Sequence, residues 1–233
     1  MSKVVAVIAA HPDDEMLGCG GTIAKHIALG DVVHVLIAAE GLTARDSKRE
    51  FIKREPDLSD LQKIALKANQ CVGSTTVDFL GMPDNRMDSV DLLDIVKKVE
   101  DFKQKYHPQI IYTHYASDVN IDHQKVHEAV ITASRPQPHE PVKTILCFET
   151  VSSTEWQPAS SKIPFAPNWF NPLSCNNIQQ KIEALKIYQS EMRAFPHARS
   201  LKAIEALAHW RGASVGFEYA EAFMLARHID ARF

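Results

Sequence analysis

The sequence has few cysteines and no long hydrophobic run. Its 233 residues include four cysteines, at positions 19, 71, 147 and 175, and no two of them form a C-x-x-C pair. Such spacing is typical of proteins without a disulfide framework, and we expect free thiols in a cytoplasmic protein. No apolar stretch reaches the roughly 18 residues that a transmembrane helix needs, so we expect no integral membrane segment.

The sequence also lacks an excess of basic residues. Lys and Arg number 26 against 29 Asp and Glu, and the formal charge is −3. Nucleic-acid-binding domains usually carry a basic face, so this balance argues against a nucleic-acid partner and favours a small molecule. The length and the 45% hydrophobic content fit one soluble domain, and they leave a homo-oligomer open.

Short apolar runs alternate with amphipathic stretches over the first 150 residues. This alternation predicts parallel β-α-β units and an α/β, Rossmann-like, doubly wound and mostly parallel sheet. The predicted strands are Val4–Ala9, Val32–Ala39, Thr76–Leu80, Gln109–Thr113 and Val142–Phe148. The predicted helices are Thr22–Leu29, Ser59–Val72, Ser89–Tyr106 and Asp122–Ser134, and residues 43–56 are expected to form a mobile loop or irregular helix.

The composition changes after residue 150. Residues 152–175 are rich in Pro, Ser, Asn and Trp and predict a long loop. Two helical stretches follow, at 178–190 and 200–212, with a last element at 220–227. We expect residues 151–233 to form a helical and loop cap on a 1–150 core, so that residues 1–233 make a single domain.

One polar motif stands at the end of the first predicted strand. Residues 10–15 read Ala-His-Pro-Asp-Asp-Glu, at the strand end where open α/β sheets bind ligands. Imidazole and carboxylate groups both bind zinc, and catalytic zinc sites use three protein ligands and a water. His11 and Asp14 are therefore candidate metal ligands. Asp13 is the candidate base that takes a proton from water.

A second polar cluster follows the fourth predicted strand, at residues 114–123. His123 falls in the first turn of the next predicted helix and is the candidate third ligand, with His127 as a second choice or a supporting group. The first cluster alone could be a polar turn with an Asp cap. Two such clusters at two strand ends favour a metal site.

These residues resemble those of the PIG-L or LmbE-like de-N-acetylases. Residues 10–15 match the family's AHPDDE motif without change, and Asn120-Ile-Asp-His123 corresponds to its H-P-D-H segment. The resemblance covers about residues 1–150. It implies an amide hydrolase that removes acetyl from an amino sugar, with one zinc ion (or iron(II)) on His11, Asp14 and His123. It further implies Asp13 as the general base and Asp122 as the acid that orients the neighbouring histidine.

The sequence departs from the family at Asn120, which replaces the histidine that stabilises the oxyanion or protonates the leaving amine. An amide can donate a hydrogen bond to an oxyanion but cannot deliver a proton at neutral pH. His197 is the first candidate for the missing acid, and a surface histidine is the alternative interpretation. His114 and Asp118 are further candidates, as is Asp13 acting first as base and then as acid.

Candidate substrate groups are less well defined. Arg86 follows the third strand and is a candidate to bind a sugar or phosphate, with a solvent-exposed turn residue as the alternative interpretation. Arg193 is a second candidate and lies in a 188–200 segment that resembles relatives from bacterial surface-polysaccharide synthesis. Arg45, Arg49 and Arg54 could contact phosphate or form a solvated basic face. Trp156 and Trp169 could stack on a sugar ring or anchor their loop.

Two other functions remain open from the sequence. A metal-dependent phosphoesterase would use similar residue types but needs a second set of ligands. A non-catalytic nucleotide- or sugar-binding relative is the other alternative, although glycines 18, 20 and 21 lack the G-x-G-x-x-G spacing of dinucleotide-binding loops.

Overall fold

The computed structural model describes residues 2–230, which fold into a sheet flanked by helices. The strands are β1 (Val4–Ala9), β2 (Val32–Ala39), β3 (Thr76–Met82), β4 (Ile110–His114), β5 (Thr144–Phe148), β6 (Trp169–Leu173) and β7 (Tyr219–His228). The helices are α1 (Asp14–Ala28), α2 (Phe51–Val72), α3 (Leu92–Tyr106), α4 (Ile121–Ala133), α5 (Cys175–Ile187) and α6 (Leu201–Ala213).

The strand order is β3-β2-β1-β4-β5-β7-β6. Strands β1 to β5 pair in parallel, and β7 runs antiparallel to both β5 and β6. The order reverses between β1 and β4, which is where ligands bind in doubly wound sheets. The predicted α/β, mostly parallel fold is confirmed.

The sheet is covered on both faces. Along β1, Val5 and Val7 face a core that includes residues of α1, α2 and α5, whereas Ala6 and Ile8 face a core with residues of α3 and α4. Burial on both faces explains why β1 is a continuous apolar run. The four cysteines are free, as expected. Within residues 2–230 no helix is long and apolar enough to cross a bilayer.

Several boundaries differ from those predicted. The predicted 152–175 loop contains the edge strand β6, where Pro172 is tolerated because an edge strand leaves some N–H positions unpaired. Residues 220–227 fall in strand β7, so the C-terminal third extends the sheet as well as covering it. Helix α2 begins at Phe51 and not at Ser59, so residues 51–56 of the segment predicted as a mobile loop or irregular helix belong to it.

Helix α1 begins at Asp14, eight residues before the predicted start, and is interrupted at Cys19 (φ −149°, ψ 24°). The glycines predicted to form a turn lie inside it. Gly18 packs against the Phe148 ring and Gly21 against the Leu173 side chain, so closely that a Cβ at either position would overlap its neighbour. The close packing of α1 against Phe148 and Leu173, and not a turn, explains the glycines at positions 18 and 21.

A buried ion pair spans the interruption in α1. Lys181 of α5 donates to the carbonyl of Leu17 (2.8 Å) and pairs with Glu221 of β7 (2.6 Å). The Glu221 carboxylate accepts hydrogen bonds from the backbone N–H groups of Gly21 (3.0 Å) and Thr22 (2.6 Å). The pair therefore satisfies backbone groups on both sides of the break, which a continuous helix would satisfy itself.

Candidate active site

Three donor atoms meet at the carboxyl ends of β1 and β4. His11 follows β1, Asp14 begins α1, and His123 lies in the first turn of α4. His11 Nδ1 is 3.1 Å from Asp14 Oδ2, His123 Nε2 is 3.2 Å from the same oxygen, and the two nitrogens are 3.3 Å apart. A tetrahedral zinc site with bonds of about 2.0–2.1 Å has ligand atoms about 3.3 Å apart.

The surroundings of these donors also fit a cation. Asp14 Oδ1 is buried and has no hydrogen-bond partner. Burial opposes charge on Asp14, but His123 and His11 outweigh it and hold the pKa of Asp14 well below its usual value. Burial likewise opposes charge on His123, but Asp14 and Asp118 raise its pKa to about 9. The cluster therefore favours positive charge at its centre, which a divalent ion supplies.

A carboxylate lies behind each histidine. His11 Nε2 is 3.1 Å from Asp122 and 3.3 Å from Asp84, and His123 Nδ1 is 3.2 Å from Asp118. Metal-binding histidines usually donate their second N–H to such a group, which fixes the ring and its tautomer. The outer carboxylates therefore leave Nδ1 of His11 and Nε2 of His123 for a metal.

The prediction that Asp122 orients the neighbouring His123 is wrong, because Asp122 contacts His11. Its carboxylate accepts hydrogen bonds from the backbone N–H groups of Asn85 (2.6 Å) and Met87 (2.9 Å), which hold it on the β3 side of the site. Asp118 orients His123 instead. In the sequence, Asp118 was considered only as a possible acid.

Asp13 is buried beside this cluster and has an unusual backbone. Its φ of 114° lies in the left-handed region, which costs a non-glycine residue of order 1–3 kcal/mol. Its N–H donates to Glu15 Oε2 (3.0 Å), and its Oδ2 accepts from Arg199 Nη1 (2.5 Å). Burial raises the pKa of Asp13 well above its usual value, and the nearby Arg199 charge opposes that rise. A raised pKa suits a proton acceptor.

Arg199 and Asp84 are site residues that the sequence did not predict. Arg199 lies between α5 and α6, in the same segment as the predicted candidates His197 and Arg193. Its side chain is 21% exposed and its Nε donates to Ser152 Oγ (2.7 Å). No local pattern marks this arginine, because its partner Asp13 is 186 residues away.

A cavity of about 190 Å³ opens over the donor cluster. The loops after β1, β2, β3, β4 and β5 line it, together with the α5–α6 segment. Among residues 2–230, two arginines line it: Arg199, paired with Asp13, and Arg45, which makes two contacts with Glu191 (2.7 and 2.8 Å). Arg49 and Arg54 are also paired with carboxylates, Glu40 and Asp46. The cavity is therefore polar, and its arginines are already neutralised.

Larger cavities of about 420 and 760 Å³ open near His107 and His139, by the amino ends of β4 and β5. In the described part of the chain, the groups of donors spaced for a metal are His11–Asp14–His123 and His11–Asp84–Asp122. Neither group lies in these larger cavities. The second group consists of His11 Nε2 and the carboxylates of Asp84 and Asp122, which already contact that nitrogen.

Asn120 lines the cavity, but its amide is engaged. Its Oδ1 caps α4 by accepting from the N–H of Asp122 (2.8 Å), and its Nδ2 donates to Asn85 (2.8 Å). His114 is buried, and its Nε2 accepts from the N–H of Ala10 (2.8 Å). That nitrogen therefore carries no proton to deliver. His127 contacts the His114 carbonyl (2.9 Å) and lies outside the donor cluster.

The remaining candidates lie away from the cavity lining. His197 is half-buried, accepts from the Arg199 N–H (3.0 Å) and packs edge-on against Trp156. The Arg193 guanidinium donates to the carbonyls of Ser190 and Met192 (2.7 and 2.8 Å). Neither side chain lines the cavity over the donor cluster. Trp169 is part of β6, and Arg86 is half-buried and does not line the cavity.

The chain resembles deacetylases in sequence. Residues 6–134 match the family model described as GlcNAc-PI de-N-acetylase, PIG-L. This match spans more than half of the chain. The chain is also 27% identical, over 193 residues, to the uncharacterised deacetylase YaiS of Escherichia coli K12, a match that covers 81% of this chain and 91% of YaiS.

Solved structures share the fold. An N,N'-diacetylchitobiose deacetylase from Pyrococcus horikoshii superposes with a TM-score of 0.73 at 17% identity, covering 97% of this chain and 84% of that one. GalB, the 4-carboxy-2-hydroxymuconate hydratase of Pseudomonas putida KT2440, superposes with a TM-score of 0.76 at 21% identity, covering 99% of both chains. One fold thus carries a deacetylase and a hydratase, so the fold alone does not identify the reaction.

Proposed function

Because this chain belongs to the PIG-L family of GlcNAc-PI de-N-acetylases, we propose that it is a zinc-dependent N-deacetylase that hydrolyses the acetamide of an N-acetylated amino sugar or sugar conjugate. The observation that carries the proposal is the spacing of three donor atoms, 3.1 to 3.3 Å apart, next to the buried carboxylate of Asp13. This spacing favours one zinc-sized ion, with iron(II) as the alternative metal.

In the proposed site, His11, Asp14 and His123 hold the metal. A bound zinc ion supplies a Lewis acid for the acetamide oxygen and lowers the pKa of water toward about 7. Asp13 accepts the proton of the attacking water, a role that its burial and raised pKa favour. Asp122 and Asp118 keep the two imidazole rings fixed while charge develops.

The leaving amine also needs a proton, and we assign its delivery to Asp13. Of the other candidates, His114 has its Nε2 engaged as an acceptor and His197 does not line the cavity. Asp13 holds the proton after water attack and can return it to nitrogen when the carbon–nitrogen bond breaks. One carboxylate would then act as base and acid in turn.

The cavity favours a substrate that is uncharged around its acetamide. Both arginines in its described lining face a carboxylate, so neither is free for a phosphate. This pairing argues against a phosphoesterase. The relatives favour an N-acetylated sugar as substrate, since the family description names GlcNAc-PI and the Pyrococcus horikoshii enzyme is an N,N'-diacetylchitobiose deacetylase.

The experiment is an acetate-release assay on N-acetylglucosamine, N,N'-diacetylchitobiose and a nucleotide-linked acetamido sugar. We expect release with the zinc-loaded protein, loss of release with a chelator and recovery when zinc is added back. Metal analysis should give one ion per chain, whereas two ions would favour a phosphoesterase. The absence of acetate from every sugar, or release that a chelator leaves unchanged, would refute the proposal.

A further inference from the structure

We infer that Arg199 is a positioning residue, supplied by the segment between α5 and α6, that holds the Asp13 carboxylate in its working orientation. The inference rests on the proposed role of Asp13 as base. It also assigns the C-terminal third a part in the active site, since Arg199 lies outside residues 6–134, where the family model matches.

Asp13 is anchored at two points. Its backbone N–H donates to Glu15, whose carboxylate also accepts from Asn69 of α2 (2.9 Å) and from the Tyr188 hydroxyl at the end of α5 (2.6 Å). This network fixes the main chain of Asp13. The side chain of Asp13 is fixed separately, by Arg199. Two independent anchors on one residue indicate that its orientation matters.

The backbone of Asp13 explains why an anchor is needed. A residue other than glycine with φ of 114° keeps that conformation only when its surroundings enforce it. Without Arg199, the backbone contact with Glu15 remains but the contact that fixes the carboxylate is lost, so we expect the Asp13 side chain to rotate from its present orientation. The Arg199 contact engages Oδ2, so Oδ1 is the oxygen left for the proton.

Arg199 is itself held in place. Its Nε donates to Ser152 Oγ while Nη1 contacts Asp13, and its carbonyl accepts from the Arg193 N–H (3.3 Å). The next residue, Ser200, is the N-cap of α6. The rigid fork of a guanidinium makes two contacts at once, which a lysine cannot reproduce. The geometry therefore requires arginine at this position.

The test compares Arg199→Met with a matched control, Arg211→Met. Arg211 also forms a partly buried pair with a carboxylate, Glu149, and its side chain is 20% exposed against 21% for Arg199. We expect Arg199→Met to lower kcat about 100-fold, as misplaced catalytic groups do, with KM within about threefold. Zinc content should stay at one ion per chain, and Arg211→Met should keep its turnover.

Two further measurements separate positioning from general damage to the fold. Guanidinium ions added to Arg199→Ala should restore part of kcat, because they can occupy the vacated place beside Asp13. A crystal structure of zinc-loaded Arg199→Met should show the Asp13 carboxylate turned from its wild-type orientation.

Wild-type turnover in Arg199→Met, or an unmoved Asp13 carboxylate in its crystal structure, would overturn the inference. Equal loss of activity in the Arg199 and Arg211 variants would overturn it as well, since damage to the fold would then explain both. Should the wild-type protein release no acetate at all, the proposed function fails, and the crystal structure still decides the role of Arg199.

Discussion

Asp13 and Asp14 are adjacent in the chain but face different partners. Asp14 points to the imidazoles of His11 and His123, whereas Asp13 points to the guanidinium of Arg199. The left-handed backbone at Asp13 separates the two carboxylates, because it turns the chain between them. Two identical side chains therefore have different predicted roles, and substitution should separate them.

We expect Asp13→Asn to bind zinc as tightly as the wild-type chain and to lose about 10²–10⁴-fold in kcat, because an amide cannot accept the proton of water. Asp14→Asn should instead lose zinc, since it removes a ligand. Zinc titration and acetate release on both variants check this. Retained turnover in Asp13→Asn would remove Asp13 from the role of base.

Asp118 should affect the zinc affinity of the site although it is not one of the proposed ligands. Its carboxylate is 3.2 Å from His123 Nδ1, so Asp118→Asn should weaken zinc affinity about 10–100-fold by loosening the ring. The matched control is Asp78→Asn, which removes a carboxylate paired with Lys105 at the surface. Competition with a chromogenic chelator measures the affinity, and equal values for both variants would contradict the assigned role of Asp118.

At the scale of residues, the sequence identified the groups that stand in polar motifs at the ends of predicted strands. The structure brings together His11, Asp14 and His123, each of which followed a predicted strand in a polar motif. Arg199 could not be selected, because its partner is distant and an arginine between two helices is ordinary. Asp122 was predicted to orient His123 because the two are adjacent in sequence, whereas in the structure Asp122 contacts His11 and Asp118 contacts His123.

At the scale of elements, α1 shows how a helix can be interrupted inside a core. Lys181 and Glu221 are 4% and 5% exposed, and between them they bond the backbone on both sides of the break. Removing one partner of a buried pair leaves a charge and backbone groups unsatisfied. The buried Lys181–Glu221 pair should therefore stabilise the folded protein against unfolding.

We expect Lys181→Met to lower the free energy of unfolding by about 3–5 kcal/mol. Lys186→Met, on the same helix, removes an exposed pair with Glu183 and should change it by less than about 0.5 kcal/mol. Urea denaturation followed by circular dichroism compares them. Similar midpoints for both variants would show that the buried pair is dispensable.

Elements buried on both faces were the easiest to predict, and those defined by tertiary contacts were the hardest. Strands β1 and β2 have the predicted bounds because continuous apolar runs mark them. The start of α1 was placed too late because its glycines look like a turn, although packing against Phe148 and Leu173 requires them. Strand β6 was missed because Pro172 obscures it.

At the scale of the whole molecule, the C-terminal third is part of the same sheet and the same site. Strand β7 pairs with β5, α5 packs on α1, and Arg199 reaches Asp13. We therefore propose that the core and the cap form one cooperative domain.

The protein should then unfold in a single transition, seen alike by tryptophan fluorescence and circular dichroism. A fragment of residues 1–150 exposes the edge of β5 and the apolar face of α1, and it should show no cooperative transition. Two separated transitions, or a fragment that melts cooperatively, would mean that the two parts are independent domains.

The position of β7 has a consequence for biosynthesis. It lies between β5 and β6 in the sheet but follows both along the chain. A ribosome therefore releases β5 and β6 before the strand that joins them, and both nascent edges stay open to other chains in the meantime. Slow translation just upstream of β7 would prolong that exposure and leave the nascent polypeptide dependent on chaperones.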